Sequence, residues 1–171
     1  MKKLIIVNGT MGAGKTTVCK LLSKQLQPSV FLDGDWCWDM NPFVVNEENK
    51  AMVMDNITHL LNSFCRNCGY EYILFCWVIH QEEILEQILR SLPECEFELF
   101  KFTLLCSESA LRSRLEKDVE TGIRQSDVIE RSVSRLPAYE SMDTVKIDVS
   151  AITAEQAAEK LARIVNDHGS I

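Results

Sequence analysis

Residues Gly9 to Thr16 read Gly-Thr-Met-Gly-Ala-Gly-Lys-Thr, a G-x-x-x-x-G-K-T pattern set directly behind the apolar run Leu4-Ile5-Ile6-Val7. No other feature constrains the fold as strongly. The pattern works in one setting: a strand delivers the chain to a turn, and a helix leaves it. Gly9, Gly12 and Gly14 let the backbone bend so that its N–H groups point inward at phosphate oxygens. The helix expected from Lys15 to Leu26 adds its positive N-terminal end. Lys15 has the reach for the β- and γ-phosphates, and the Thr16 hydroxyl suits Mg²⁺. ATP and Mg²⁺ are therefore the expected ligands. Gly9, Thr10, Met11, Gly12, Ala13, Gly14, Lys15, Thr16 and Thr17 are the expected nucleotide contacts, with Thr16 on the metal.

Apolar runs recur along the chain at Val30–Leu32, Tyr72–Ile79, Phe97–Leu105 and Val145–Ile147, the third of these after Pro93-Glu94. Near-continuous runs separated by helical stretches predict a parallel sheet buried on both faces. The helices announce themselves by their caps. Asn46-Glu47-Glu48 opens one carrying Met54, Ile57, Leu61 and Phe64. Ser107-Glu108 opens one carrying Leu111 and Leu115. Ser126-Asp127 opens one carrying Ile129, Val133 and Leu136. Thr153-Ala154-Glu155-Gln156 is a capping box before Leu161, Ile164 and Val165, with Gly169 placed to end that helix. The expected fold is α/β, a three-layer sandwich around a five-stranded parallel sheet, with the loop at the carboxyl end of the first strand.

The 171 residues suit one compact domain, 1–171, and contain no linker, repeat or low-complexity tract. A net charge of −7 argues against a nucleic-acid partner, which needs a basic face. The first apolar run is too short for a signal peptide and runs straight into the loop. No stretch approaches the ~18–20 apolar residues of a membrane helix. Cys19, Cys37, Cys65, Cys68, Cys76, Cys95 and Cys106 are odd in number and several lie in apolar runs, as reduced thiols in a cytoplasmic protein do. Cys65-Arg66-Asn67-Cys68 has no partner motif for zinc and reads as a helix end closing at Gly69. His59, His80 and His168 show no metal-ligand spacing.

Two further segments carry chemistry. Leu32-Asp33-Gly34-Asp35 follows the second strand, where a carboxylate faces the γ-phosphate and the acceptor. There it takes the proton of an acceptor hydroxyl or orients a water on Mg²⁺. Asp-Gly is also a turn signal. Arg114, Arg124, Arg131, Arg135 and Tyr139 form a second set, with Arg131 and Arg135 one turn apart on the expected helix. Planar donors between the last two strands suit a lid, approximately 114–139, that closes over transferring phosphates. No Asn-Lys-x-Asp or Asp-x-x-Gly motif points to a GTPase.

On these three segments the chain resembles the nucleoside-monophosphate-kinase-like superfamily of small P-loop kinases. That group includes adenylate, uridylate, shikimate, gluconate and adenylylsulfate kinases and chloramphenicol phosphotransferase. Asp33-Gly34-Asp35 is similar to the Asp-Gly-Asp of adenylylsulfate-kinase-like members, and Asp35 falls where chloramphenicol phosphotransferase has its proposed base. The Arg114, Arg124, Arg135, Tyr139 spacing resembles the lid of uridylate-type kinases. The resemblance implies that Arg114 packs on the adenine and that Arg124 and Arg135 contact phosphates. Two departures stand out. Asp118 occupies a position where the family often has another arginine. The third strand carries no acid, so carboxylate help for Mg²⁺ falls to Asp33 or Asp35.

Between Lys24 and Arg66 the sole basic residue is Lys50. Kinases of anionic acceptors draw arginines from this region, so the expected acceptor is a small neutral or cationic compound with a hydroxyl: a nucleoside, a sugar-like compound or an antibiotic. Trp36 and Trp38 lie in the same stretch, and in an extended segment they would point apart. The leading expectation is an ATP-dependent small-molecule kinase, monomeric or homodimeric, using Lys15, Asp33, Asp35, Arg124 and Arg135. A nucleoside monophosphate kinase and a non-catalytic nucleotide-binding module stand beside it.

Overall fold

The computed structural model describes residues 1–92 and 96–167. The Pro93-Glu94 turn, Cys95, His168 and the expected helix stop at Gly169 lie outside the described residues. Five strands form one parallel sheet: β1 (Lys2–Asn8), β2 (Ser29–Asp33), β3 (Tyr72–Trp77), β4 (Phe97–Leu105) and β5 (Val145–Asp148). Their spatial order is β2-β3-β1-β4-β5. The loop therefore leaves the carboxyl end of the central strand, where strand order reverses and α/β proteins place their ligands.

Alternate residues of each strand face opposite layers. Ile5, Val7, Leu74, Phe102 and Leu104 pack against α1 (Lys15–Gln25), α4 (Glu108–Glu120) and α7 (Ala154–Asp167). Leu4, Ile6, Ile73 and Phe75 pack against α2 (Glu47–Arg66), α3 (Glu82–Arg90) and Tyr139 of α6 (Leu136–Ser141). Burial on both faces explains why the strands read as continuous apolar runs.

The predicted caps at Asn46, Ser107 and Thr153 form, whereas Asp127 makes no capping hydrogen bond. Asn46 Oδ1 accepts from Asn49 N at 2.8 Å. In the Thr153 capping box, Thr153 N donates to Gln156 Oε1 at 2.9 Å, and Gln156 N donates to Thr153 Oγ1 at 3.2 Å. Asn67 ends α2, and its Oδ1 accepts from Gly69 N at 2.8 Å.

Three elements depart from expectation. The first is α3, whose start has no capping side chain, since Gln81 makes no cap hydrogen bond. The segment holds its place through buried Leu85 and Ile88. The second departure is the helix expected after Ser126. It is two short helices, α5 (Val128–Val133) and α6, because Pro137 lies in the first turn of α6 and cannot continue a helix already under way. Arg131 and Arg135 consequently do not share one helix face. Arg131 lies in α5 and Arg135 precedes α6. The third is Gly34–Trp38, a 3₁₀ helix and not an extended segment. Trp36 stands edge-on to Phe31, and Trp38 tilts against Phe43.

Candidate active site

The loop's glycines answer specific local demands. Gly9, Gly12 and Gly14 have φ of 148°, 82° and 90°. A Cβ on Gly12 would also fall 2.7 Å from Leu115 Cδ2, so α4 seats directly on the loop. Thr10 ties the loop to α5 by donating from Oγ1 to the Ser132 carbonyl at 3.1 Å. Asn8, 2% exposed, holds the loop's root. Its Oδ1 accepts from Gly9 N at 2.8 Å and from Ile79 N at 2.9 Å, while its Nδ2 donates to Ile79 O at 2.6 Å.

Lys15 and Thr16 open α1. Lys15 is buried and donates from Nζ to the Thr10 carbonyl at 2.9 Å. Burial lowers its pKa, while Asp35 and Asp33 nearby pull it back up. Thr16 Oγ1 donates to Asp33 Oδ2 at 2.5 Å. Asp33 is 4% exposed and ends β2, in register with Cys76 of β3. Cys19 and burial hold the Cys76 thiol well above its ordinary pKa, so the third strand supplies a neutral group there. The acid missing from β3 is thus supplied by the next strand.

Both oxygens of Asp33 are engaged, because Oδ1 accepts from Asp35 N at 3.0 Å and caps the 3₁₀ helix. Asp35 itself is exposed at the mouth. Partial desolvation pushes its carboxyl above its ordinary pKa, and the charge of Asp33 adds to this. Lys15, Arg124 and the Trp77 indole pull it down. Gly34 lets this happen, since its Cα lies against the root of the Trp77 ring.

The arginines divide. Arg114 donates to the Val149 carbonyl and lines a hollow of about 240 Å³ with Gly12, Gly14, Thr17, Ile152 and Ala157. Arg124 pairs with Asp118 through Nε at 3.1 Å, and its charge reaches Lys15 and Asp35. Asp118, the departure from the family pattern, thus steadies Arg124. The charge of Arg135 reaches the Tyr139 phenol. Arg131 pairs with Asp127 at 3.3 Å on the surface and Glu130 pairs with Arg112, so Arg131 is part of a solvated face.

On the other side of Asp35, a groove of about 430 Å³ runs between the 3₁₀ helix and α2. It is lined by Trp36, Cys37, Asp39, Met40, Met52, Asn56, His59 and Leu60. That lining contains neither lysine nor arginine. Arg66 ends α2 beside Asn67, whose carbonyl accepts from Lys2 at the amino end of the sheet, the end away from the loop. Arg90 pairs with Glu86 on the surface. Among the described residues no group of three or more His, Cys, Asp or Glu side chains is placed to hold a metal ion, and no helix is long and apolar enough to cross a membrane.

A parallel sheet of this order, with the glycine loop on its central strand and Asp33 against Thr16, defines a P-loop nucleotide-binding fold. Solved structures bear this out. The shikimate kinase of Acinetobacter baumannii superposes with TM-score 0.66 at 19% identity, over 100% of this chain and 97% of that one. The gluconokinase of Sinorhizobium meliloti gives 0.64 at 19%, over 98% and 97%. The tunicamycin resistance protein of Deinococcus radiodurans gives 0.68 at 17%, over 96% of each. At these identities the likeness establishes the fold. The chain belongs to the AAA domain family, whose model matches residues 5–135. No curated protein matches it by sequence.

Proposed function

We propose that the protein is an ATP-dependent phosphotransferase that moves the γ-phosphoryl group to a hydroxyl of a small neutral or cationic acceptor. One observation carries the reading. Asp33 spends its two oxygens on Thr16 Oγ1 and Asp35 N, which leaves Asp35 as the unspent carboxylate at the mouth of the loop. In this reading ATP lies along Gly9–Thr17 with its base in the hollow beside Arg114. Thr16 and Asp33 supply hard oxygen donors of the kind Mg²⁺ takes, and when bound the ion neutralises phosphate charge.

The acceptor oxygen forms a bond to the γ-phosphorus as the bond to the β-phosphate oxygen breaks and ADP leaves. The acceptor's proton passes to the Asp35 carboxylate. Lys15, Arg124 and Arg135 face the charge that builds on the transferring group. Segment 114–139 is the lid of this enzyme, its exposed tip 121–123 beyond α4 and its base packed through Ser132 and Tyr139. The lysine- and arginine-free groove favours an uncharged or cationic acceptor over a nucleoside monophosphate, whose phosphate would find no partner there.

The test is phosphoryl transfer from ATP across nucleosides, nucleoside monophosphates, sugars and aminoglycosides, with Lys15→Ala as control. Asp35→Asn should lower turnover more than ~100-fold and leave ATP affinity intact. Transfer to a monophosphate would refute the charge argument. Turnover near wild type in Asp35→Asn would refute the role of Asp35.

A further inference from the structure

Nε1 of Trp77, Nδ1 of His80 and the phenol oxygen of Tyr139 are buried and have no hydrogen-bond partner among the described residues. The fold gathers them from two elements. Trp77 ends β3. His80 follows Ile79, whose N–H and C=O are both held by Asn8 at the root of the loop. Tyr139 belongs to α6, whose neighbouring Met142 also meets Asn8, its Sδ accepting from Nδ2 at 2.9 Å. Two of them, Trp77 and Tyr139, lie close to Asp35. The Trp77 indole approaches that carboxyl closely enough to lower its pKa without closing a hydrogen bond, and Asp35 and Arg135 act on the Tyr139 phenol.

Buried polar groups without partners are rare and costly in folded proteins. Tyr139 is 1% exposed, so bulk solvent does not answer its hydroxyl. Two such groups beside one unspent carboxylate mark a surface built for a ligand that pairs them. An indole N–H is a donor only, and it needs an acceptor atom opposite. Burial pushes the Tyr139 pKa up to about 12, which keeps its hydroxyl a donor. An ammonium group offers donors only and would meet donors here, with Arg135, Arg124 and Lys15 close by. A phosphate at this wall offers acceptors only and would leave the Asp35 carboxylate without a donor. A hydroxyl can both accept from Trp77 or Tyr139 and donate to Asp35.

We propose that Trp77 and Tyr139 form the wall that reads the oxygens flanking the acceptor's reacting hydroxyl, and that the acceptor is an uncharged polyhydroxylated compound such as a sugar, a polyol or the ribose of a nucleoside. The proposal rests on the phosphotransferase reading and narrows it. Sites that hydrogen-bond a substrate hydroxyl reject the analogue lacking it by large factors, because the site's own polar groups are then left unpaired.

The experiment measures transfer from ATP to matched probes: uridine and 2′-deoxyuridine, D-ribose and 2-deoxy-D-ribose, D-glucose and 2-deoxy-D-glucose, myo-inositol, and kanamycin as the cationic arm. Wild type, Trp77→Phe and Tyr139→Phe are compared, with ATP KM and thermal midpoint measured for each. Support is transfer to a neutral polyol with a deoxy penalty above ~100-fold in kcat/KM. In support, Trp77→Phe or Tyr139→Phe shrinks that penalty at least ~10-fold, leaves ATP KM unchanged and does not lower the thermal midpoint. Should Trp77→Phe fail to fold, Tyr139→Phe carries the comparison alone. Preference for kanamycin, equal losses on a hydroxyl probe and its deoxy partner, or a variant that only shifts the pH profile overturns the wall. Lys15-dependent ATP hydrolysis without transfer to any polyol also overturns it, yet leaves a phosphotransferase. Loss of any Lys15-dependent ATP binding or turnover overturns the underlying reading.

Discussion

Adding one methyl group at Gly34 tests how the site is packed. A Cβ there would lie 2.5 Å from Trp77 Cγ, 2.6 Å from Cδ1 and 3.0 Å from Cβ. Carbon atoms in contact rest about 3.5–4.0 Å apart, so the indole must retreat by about 1 Å. The clash is with the root of the ring, and the Trp77 backbone is fixed in register with Asn8 of β1. Gly34 is not among the positive-φ glycines, so the penalty of Gly34→Ala is steric and not conformational. Overpacking of this kind costs about 1–3 kcal/mol, or about 3–10 °C of melting temperature for a chain of this length. A double-mutant cycle isolates it. In a Trp77→Ala background the new methyl enters vacated space, so the two substitutions should couple by at least about 1 kcal/mol. The nucleotide loop is untouched, so ATP affinity should hold. Acceptor turnover should fall at least ~10-fold, because Trp77 and Asp35 move together and a 1 Å misplacement is felt strongly in catalysis. A melting temperature within 1 °C of wild type, or the same loss in both backgrounds, would refute the packing argument.

Other outcomes follow from the same geometry. Asp33→Asn keeps the shape of the Thr16 contact but removes its charge, and a Mg²⁺ titration of ATP turnover should shift to ~10–100-fold higher metal. Asn8→Ala leaves Gly9 N–H and both backbone groups of Ile79 unpaired, which denaturant titration should register as about 2–4 kcal/mol; a change under about 0.5 kcal/mol would contradict the clamp. Tyr139 has a folded pKa of about 12 against an ordinary 10.0. Between those values the folded chain keeps a proton that the unfolded chain has lost, so stability falls as pH rises through the window, by up to roughly 2–3 kcal/mol. Tyr139→Phe should remove that part of the alkaline loss and leave the pH profile below 10 unchanged.

What the sequence disclosed was what is local. The glycine loop, the apolar strands, the Asn46 cap and the Thr153 box each complete themselves within a few residues, and each took its expected form. The α3 helix escaped notice because Gln81 provides no capping side chain and its signal lies in the spacing of Ile84, Leu85, Ile88 and Leu89 alone. The break between α5 and α6 was written in Pro137, but the apolar positions of Ile129, Val133 and Leu136 masked it. The 3₁₀ turn at Gly34 depends on Asp33 turning back to its own chain, which reads as an ordinary Asp-Gly turn until β2 fixes the carboxylate. Least legible was the pairing of Trp77 with Tyr139. It joins residues about sixty apart, and tertiary packing alone brings them to Asp35.

Asn8 gives the two halves of the site a common mechanical hinge-pin. One side chain grips the first amide of the phosphate loop and both backbone groups of the residue before His80. Any tightening of the loop around a nucleotide is transmitted to the strand exit that faces the acceptor, and the reverse holds equally. Thermodynamic linkage makes such coupling reciprocal: if ATP raises acceptor affinity by some factor, the acceptor raises ATP affinity by the same factor. Weakening Asn8 should therefore turn two mutually reinforcing binding events into two independent ones, and in initial-rate kinetics the KM of each substrate would no longer depend on the concentration of the other.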